Sequence, residues 1–322
     1  MMKSIKWLVF LTSILIFACG CKKTDSTAEY NPVETEITLE TEVGTVYGSL
    51  KIPNEEGAFP VVLIIAGSGP TDRNGNNTIS GSSNNLKMIS ESLAMNGFAS
   101  LRYDKRGVAK SYHSDFNEED LVFDNYVEDA VAWLNQLKGD ERFTKIFVLG
   151  HSEGALIGSI VANQIEVDGF VSVSGTAQKV DALILEQLSS QPDYILTEAQ
   201  TILDSLNEEI LVSNVSQALY ALFRPSVQPY MISWLKYDPI VEMSNISTPV
   251  LILHGTTDLQ VKSSEAELLG QSNDLAEVIV IEGMNHVLKD ASNVVEENLA
   301  TYSNPNLPLS KGFYAAINDF LE

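Results

Sequence analysis

The pentapeptide Gly150-His151-Ser152-Glu153-Gly154 constrains the fold of this chain more than any other stretch. The apolar run Lys145-Ile146-Phe147-Val148-Leu149 precedes it, and residues 155–162 follow it with apolar side chains at helical spacing and small residues interleaved. Strand, sharp turn and helix are the setting in which G-x-S-x-G forms a nucleophile elbow. The small residues at 150, 154 and 158 let such a strand and helix approach closely. The turn lifts the Ser152 hydroxyl into the open and aims the first N–H groups of the helix at the same place. A glycine-rich turn with no chemistry has the same letters, so the motif needs partners elsewhere in the chain.

A nucleophilic serine needs a base, and the chain has 4 histidines. His151 lies within the elbow and is expected to point away from the serine. His254 ends the apolar run 249–253 and reads as support for a strand end, and His113 lies in a polar loop. His286 follows the strand-like run 277–281 in the loop Glu282-Gly283-Met284-Asn285. Loops at the carboxyl ends of strands are where ligand chemistry collects in open α/β sheets, so His286 is the candidate base. Asp258, directly after the strand 249–254, is the candidate for orienting the imidazole; Asp274, Asp290 and Glu282 read as solvated loop charges. The order Ser152, Asp258, His286 is nucleophile, acid, histidine.

A tetrahedral intermediate also needs prepositioned N–H donors. One is expected from the backbone of Glu153. The other is assigned to the Ser68 backbone, in the loop 66–76 that follows the apolar run 59–65, with Gly67 and Gly69 permitting the turn. The loop lacks the G-K-[ST] ending of a phosphate cradle.

Together these segments resemble the α/β-hydrolase-fold serine hydrolases of the carboxylesterase and serine-aminopeptidase-like group. The resemblance rests on five ordered elements: G-S-G-P-x-D-R-x-G-x at 67–76, R-Y-D-K-R-G at 102–107, G-H-S-x-G at 150–154, H-G-x-x-D at 254–258 and G-x-x-H at 283–286. It spans about residues 35–322. It implies a Ser-His-Asp triad acting on a small-molecule carboxylic ester, with no metal and no cofactor. Peptide or amide cleavage on the same triad is the alternative, as is a surface binding lipoprotein without turnover. Ala109 departs from the pattern, standing where relatives often have glycine, and puts the backbone of that loop in question.

Reading the apolar pattern by itself leads to the same fold class. Residues 35–41 and 46–52 alternate about Val43-Gly44-Thr45 and read as an antiparallel hairpin. Apolar runs recur at 61–65, 98–103, 145–149, 169–173, 249–253 and 277–281, with helical segments near 84–96, 121–138, 153–165, 262–270 and 309–321. That alternation predicts an α/β architecture, a mostly parallel central sheet with helices on both faces. Asp72, Arg73, Asp104 and Arg106 read as bracing charges in its loops, with a substrate contact the alternative for Asp72 and Arg73. The alternation breaks over about 176–246, where helical spacing at 179–190, 197–213 and 214–223 predicts a helical cap insertion. Tyr220, Phe223, Tyr230, Trp234 and Tyr237 cluster late in it. They are candidates for lining a substrate pocket, or for packing the cap onto the sheet beneath.

The amino terminus predicts a location. Lys3 and Lys6 precede a short apolar core ending at Ala18, shorter than the roughly 20 residues of a membrane span. Ala18-Cys19-Gly20-Cys21 resembles a bacterial lipoprotein box, with Cys19 the lipid-bearing residue or Cys21 the alternative. Residues 1–18 are then a signal peptide, 19–34 a polar tether and 35–322 the hydrolase domain, held at a membrane in the cell envelope by its lipid. These are the 2 cysteines of the chain, which leaves no disulfide and no thiol chemistry in the folded body. A net charge of −23 disfavours nucleic acid, and no obligate protein partner is implied.

Overall fold

The computed structural model describes residues 31–79 and 81–322. Cys19 and Cys21, with the signal and most of the tether, lie outside the described residues. The chain enters the fold through two long strands, β1 (Val33–Thr41) and β2 (Gly44–Ile52), joined by a tight turn into an antiparallel pair. Strand β3 (Phe59–Ile65) follows, then a small ribbon of β4 (Asn76–Asn77) and β5 (Gly81–Ser82), and helix α1 (Asn85–Met95). Next come β6 (Ala99–Tyr103), α2 (Phe123–Lys138), β7 (Phe143–His151), α3 (Glu153–Gln164) and β8 (Gly169–Val173).

Five helices then intervene before the next strand: α4 (Val180–Gln187), α5 (Asp193–Asn207), α6 (Tyr220–Phe223), α7 (Gln228–Trp234) and α8 (Pro239–Ser244). The chain closes with β9 (Val250–Gly255), α9 (Ser264–Gln271), β10 (Ala276–Ile281), α10 (Val295–Ala300) and α11 (Lys311–Leu321). Eight strands form one sheet in the order β1-β2-β6-β3-β7-β8-β9-β10. The pairs from β6 through β10 are all parallel, and β2 joins β6 antiparallel. This is the α/β-hydrolase fold, a mostly parallel sheet with a helical insertion after β8.

The period of two along β3 divides the core. Val61, Leu63 and Ile65 face the cluster built with α2, α3, α9 and the insertion, whereas Val62 and Ile64 face the cluster built with α1 and α11. A strand covered on both faces must be apolar throughout, which is why β3 reads as an unbroken run rather than an alternation. Helix α3 is buried on every side from Glu153 to Val161. It has no polar face because the sheet, α2 and α8 surround it.

The insertion departs from the expected helices. A helix expected over 197–213 runs instead from 193 to 207. Pro192 sits at its N-cap, and Glu209 beyond its end takes a left-handed φ of 59° that ends the helix. Residues 208–219 form no helix, and the expected helix over 214–223 is reduced to α6. Helices α7 and α8 were not expected. Asp238 caps α8 through the N–H groups of Ile240 and Val241, and Pro239 occupies its first turn. The expected domain start at 35 compares with a first strand that begins at Val33.

Candidate active site

The site lies where five loops leave the carboxyl ends of parallel strands. Ser152 stands between β7 and α3 with φ 56° and ψ −121°, a conformation that side-chain-bearing residues rarely adopt. Such strain costs on the order of 1–3 kcal/mol and persists only where the surroundings enforce it. Two glycines do so here. A Cβ on Gly150 would fall 2.0 Å from the Gly154 carbonyl oxygen, and one on Gly154 would fall 2.4 Å from that of Ile65. No side chain fits at either position, so strand and helix close onto each other and the serine is forced outward. The Ser152 N–H is fixed by the Val173 carbonyl at 2.9 Å.

His286 and Asp258 come together as a buried pair. Nδ1 of His286 lies 2.8 Å from Oδ2 of Asp258, and both side chains are almost wholly excluded from water. The other carboxylate oxygen of Asp258 accepts the backbone N–H of Gln260 at 2.8 Å and of Val261 at 3.0 Å. Burial pushes the Asp258 pKa up, but the His286 charge, its hydrogen bond and these two N–H groups outweigh burial and leave it lowered. Asp258 therefore remains a carboxylate and requires a proton on Nδ1 of His286. That leaves Nε2 of the neutral ring with its lone pair free to accept one.

Two further connections, absent from the expectations, hold these loops. His151 does not simply turn away. Its Nε2 donates to the His286 carbonyl at 2.8 Å, and the two rings lie 5.0 Å apart. The elbow's own histidine thus joins the nucleophile turn to the base loop. Asn298 on α10 donates to the Thr257 carbonyl at 2.8 Å and accepts from Asn285 at 3.0 Å, which clamps the acid loop to the base loop. His254 and His113 play local parts, bonding the carbonyls of Gly175 and Thr45.

Gly67 packs on the elbow: a Cβ there would lie 3.1 Å from the Ser152 Cβ. Among the described residues, neither the Ser68 N–H nor the Glu153 N–H donates a hydrogen bond. The loop that carries Ser68 is braced by charge. Asp72 accepts the N–H groups of Asn74 and Asn76, and Arg73 pairs with Asp104 through Nη2 at 2.8 Å and Nε at 3.0 Å. Arg106 pairs with Asp129 on α2 at 2.7 Å. Ala109, the departure from the family pattern, holds φ 45°, so the loop keeps a glycine-like backbone without the glycine.

The aromatic cluster mostly seats the insertion. Phe123 of α2 stacks on Trp234 at 5.6 Å and contacts Tyr237 at 5.3 Å and Tyr230 at 5.9 Å. Tyr237 also bonds Asp124, and Arg224 pairs with Glu118. Phe223 is fully buried and leaves no face for a ligand, while Tyr220 is half exposed. Tyr230 is buried against Phe123, Tyr126 and Trp234. Burial, and then the nearby Glu153 carboxylate, push its pKa well up. Among the described residues, no group of three His, Cys, Asp or Glu side chains is arranged to hold a metal ion.

Fold and site together define a protein of the α/β-hydrolase class. The family model described as serine aminopeptidase, S33 (Hydrolase_4) matches residues 79–290, more than half of the chain, and the chain belongs to that family. Esterase EstD of Thermotoga maritima is 27% identical over 282 residues, which are 85% of this chain and 65% of that protein's length. Est1E from Butyrivibrio proteoclasticus, in a structure with ferulic acid bound, superposes with a TM-score of 0.61 at 17% identity, covering 88% of this chain and 97% of that one. The esterase Pf2001 of Pyrococcus furiosus gives 0.57 at 17% identity, over 90% of each chain. At such identities these two show the shared fold.

Proposed function

We propose that the chain hydrolyses carboxylic esters of small molecules through an acyl-enzyme on Ser152. His286 Nε2 takes the hydroxyl proton as Ser152 Oγ attacks the ester carbonyl. The resulting oxyanion is met by the Ser68 and Glu153 N–H groups. Collapse expels the alcohol, which takes its proton from His286. Water then attacks the acyl-serine by the same route and releases the carboxylic acid. Asp258 stays ionised throughout, fixing the tautomer of the imidazole and stabilising the cation that forms.

The observation that carries this reading is the buried His286–Asp258 pair at 2.8 Å, tied through His151 to a strained serine turn. Strain of this kind clusters at functional sites, where the surroundings enforce it. The family's serine-aminopeptidase description keeps amide cleavage as the second reading, and the relatives named as esterases agree with the first. Wild type is expected to cleave p-nitrophenyl esters, and Ser152→Ala to retain only a residual acceleration of about 10³–10⁴ over water. Equal turnover by both proteins, or a fluorophosphonate adduct on another serine, refutes the reading.

The location follows from the leader. The chain is exported and held in the cell envelope by lipid on Cys19, or on Cys21. Metabolic labelling with a fatty acid is expected to mark wild type and not the double variant Cys19→Ser/Cys21→Ser; label in both removes the anchor.

A further inference from the structure

Lys105 follows Asp104 in the turn after β6, and its ammonium is buried within the protein at 1% exposure. Burying an ammonium is costly unless it is paired and fully hydrogen-bonded, so its partners explain its presence. Nζ donates to the Gly67 carbonyl at 2.7 Å and to Glu153 Oε1 at 3.0 Å, and stands 4.7 Å above the Tyr126 ring. These partners come from the two segments that supply the candidate oxyanion donors: the loop after β3 and the start of α3.

The Gly67 carbonyl belongs to the same peptide unit as the Ser68 N–H. That peptide is trans, so its C=O and N–H point to opposite sides. Holding the oxygen toward Lys105 therefore aims the hydrogen away from Lys105. Gly67 itself sits against Ser152, its position for a Cβ 3.1 Å from the serine Cβ. A loop built of Gly67, Ser68 and Gly69 has little of its own to stop this peptide from flipping. A cation on the carbonyl also polarises the unit and strengthens its N–H as a donor. Glu153 neutralises the buried charge from the other side, at the root of the helix that carries the second N–H.

We infer that Lys105 is a positioning residue for this reaction: its bridge between the Gly67 carbonyl and Glu153 fixes the 67–68 peptide so that the Ser68 N–H faces the oxyanion. This rests on the ester-hydrolase reading. Removing Lys105 alone strands Glu153 as an unpaired buried carboxylate, so the informative variant is Lys105→Met/Glu153→Gln, which removes both charges and keeps the backbone N–H of residue 153. A bystander ion pair replaced in this way leaves catalysis as it was. A peptide holder does not, because loss of one oxyanion donor lowers kcat by about 10²–10³-fold.

The expected result is a fall in kcat of at least about tenfold with KM changed less than about twofold, and an equal loss of affinity for a trifluoromethyl ketone, whose adduct with Ser152 carries an oxyanion. A folded double variant with wild-type kcat and ketone affinity overturns the inference. If that variant does not fold, the 15N resonance of the Lys105 ammonium in wild type decides. It shifts on ketone binding if Lys105 backs the hole, and an unmoved resonance overturns the role. The fluorophosphonate labelling rate of Ser152 separates the two readings. Wild type that labels but cleaves no ester sinks the ester reading, and the ratio of labelling rates between wild type and variant still decides the role of Lys105.

Discussion

His151→Gln tests how the nucleophile turn is joined to the base loop, and its effect can be worked from the geometry. The His151 ring is buried, its Nε2 bonded to the His286 carbonyl at 2.8 Å. A carbonyl only accepts, so Nε2 carries the proton and Nδ1 does not. Burial first, and the charge of His286 second, lower the His151 pKa from 6.5 to about 3. The unfolded chain takes up a proton here near pH 6.5, and the folded chain refuses it until about pH 3. Stability from this group is therefore fully present above pH 6.5 and is lost as the pH falls through that window. At about 1.36 kcal/mol per unit, the whole difference amounts to about 5 kcal/mol, of which about 3 kcal/mol is gone by pH ~4. Glutamine keeps an N–H for the His286 carbonyl and does not titrate. Urea unfolding followed by tryptophan fluorescence at pH ~7 and ~4 is expected to show wild type losing about 3 kcal/mol more than the variant. Parallel losses in the two proteins refute the buried neutral imidazole.

The other predictions concern the acid and the loop after β6. Asp258→Asn keeps the shape of the pair but favours the wrong tautomer of His286, and kcat on a p-nitrophenyl ester is expected to fall by about 10⁴-fold. A loss of less than about tenfold would show that another carboxylate orients the ring. Ala109→Gly releases a left-handed backbone that costs about 1–2 kcal/mol, against about 0.5–1 kcal/mol for the freedom of glycine in the unfolded chain. A thermal melt is expected to rise slightly, and a lower melting temperature in the variant would show that φ 45° is no burden at this site.

The sheet was legible because burial on both faces leaves its mark residue by residue. The run 59–65 and the run 250–255 contain hardly a polar side chain, and each became a strand paired on both sides. Strand ends were less legible. β7 starts at Phe143 because pairing with β3 resumes across a shift in register between Phe59 and Val61, which composition does not encode. In the insertion, helices of four to seven residues such as α6 and α7 bury one or two turns against neighbours, too few for a period to declare itself. Asp238-Pro239 is the local start signal for α8. Asn298 gave no signal at all. It lies in a stretch of acidic and amide residues that reads as surface, yet it is fully buried because the acid and base loops close over it.

Those buried polar residues belong to one physical solution. Parallel strands end at the site, and beyond their last ladder bonds the pairing within the loops is short, as in the β4–β5 ribbon and the Met284–Asp290 bridge. Yet the reaction needs atoms from several loops within fractions of an ångström of one another. The protein ties each loop to its neighbour with a buried side chain: Arg73 to Asp104, Lys105 to Gly67 and Glu153, His151 to His286, and Asn298 to Thr257 and Asn285. The ties join residues 13 to 135 positions apart, the longest between His151 and His286. The Ser152 turn declares itself in five letters because it is local. The ties that place its partners are legible only once the sheet has brought their ends together, so substitutions there are expected to lower turnover without touching a substrate.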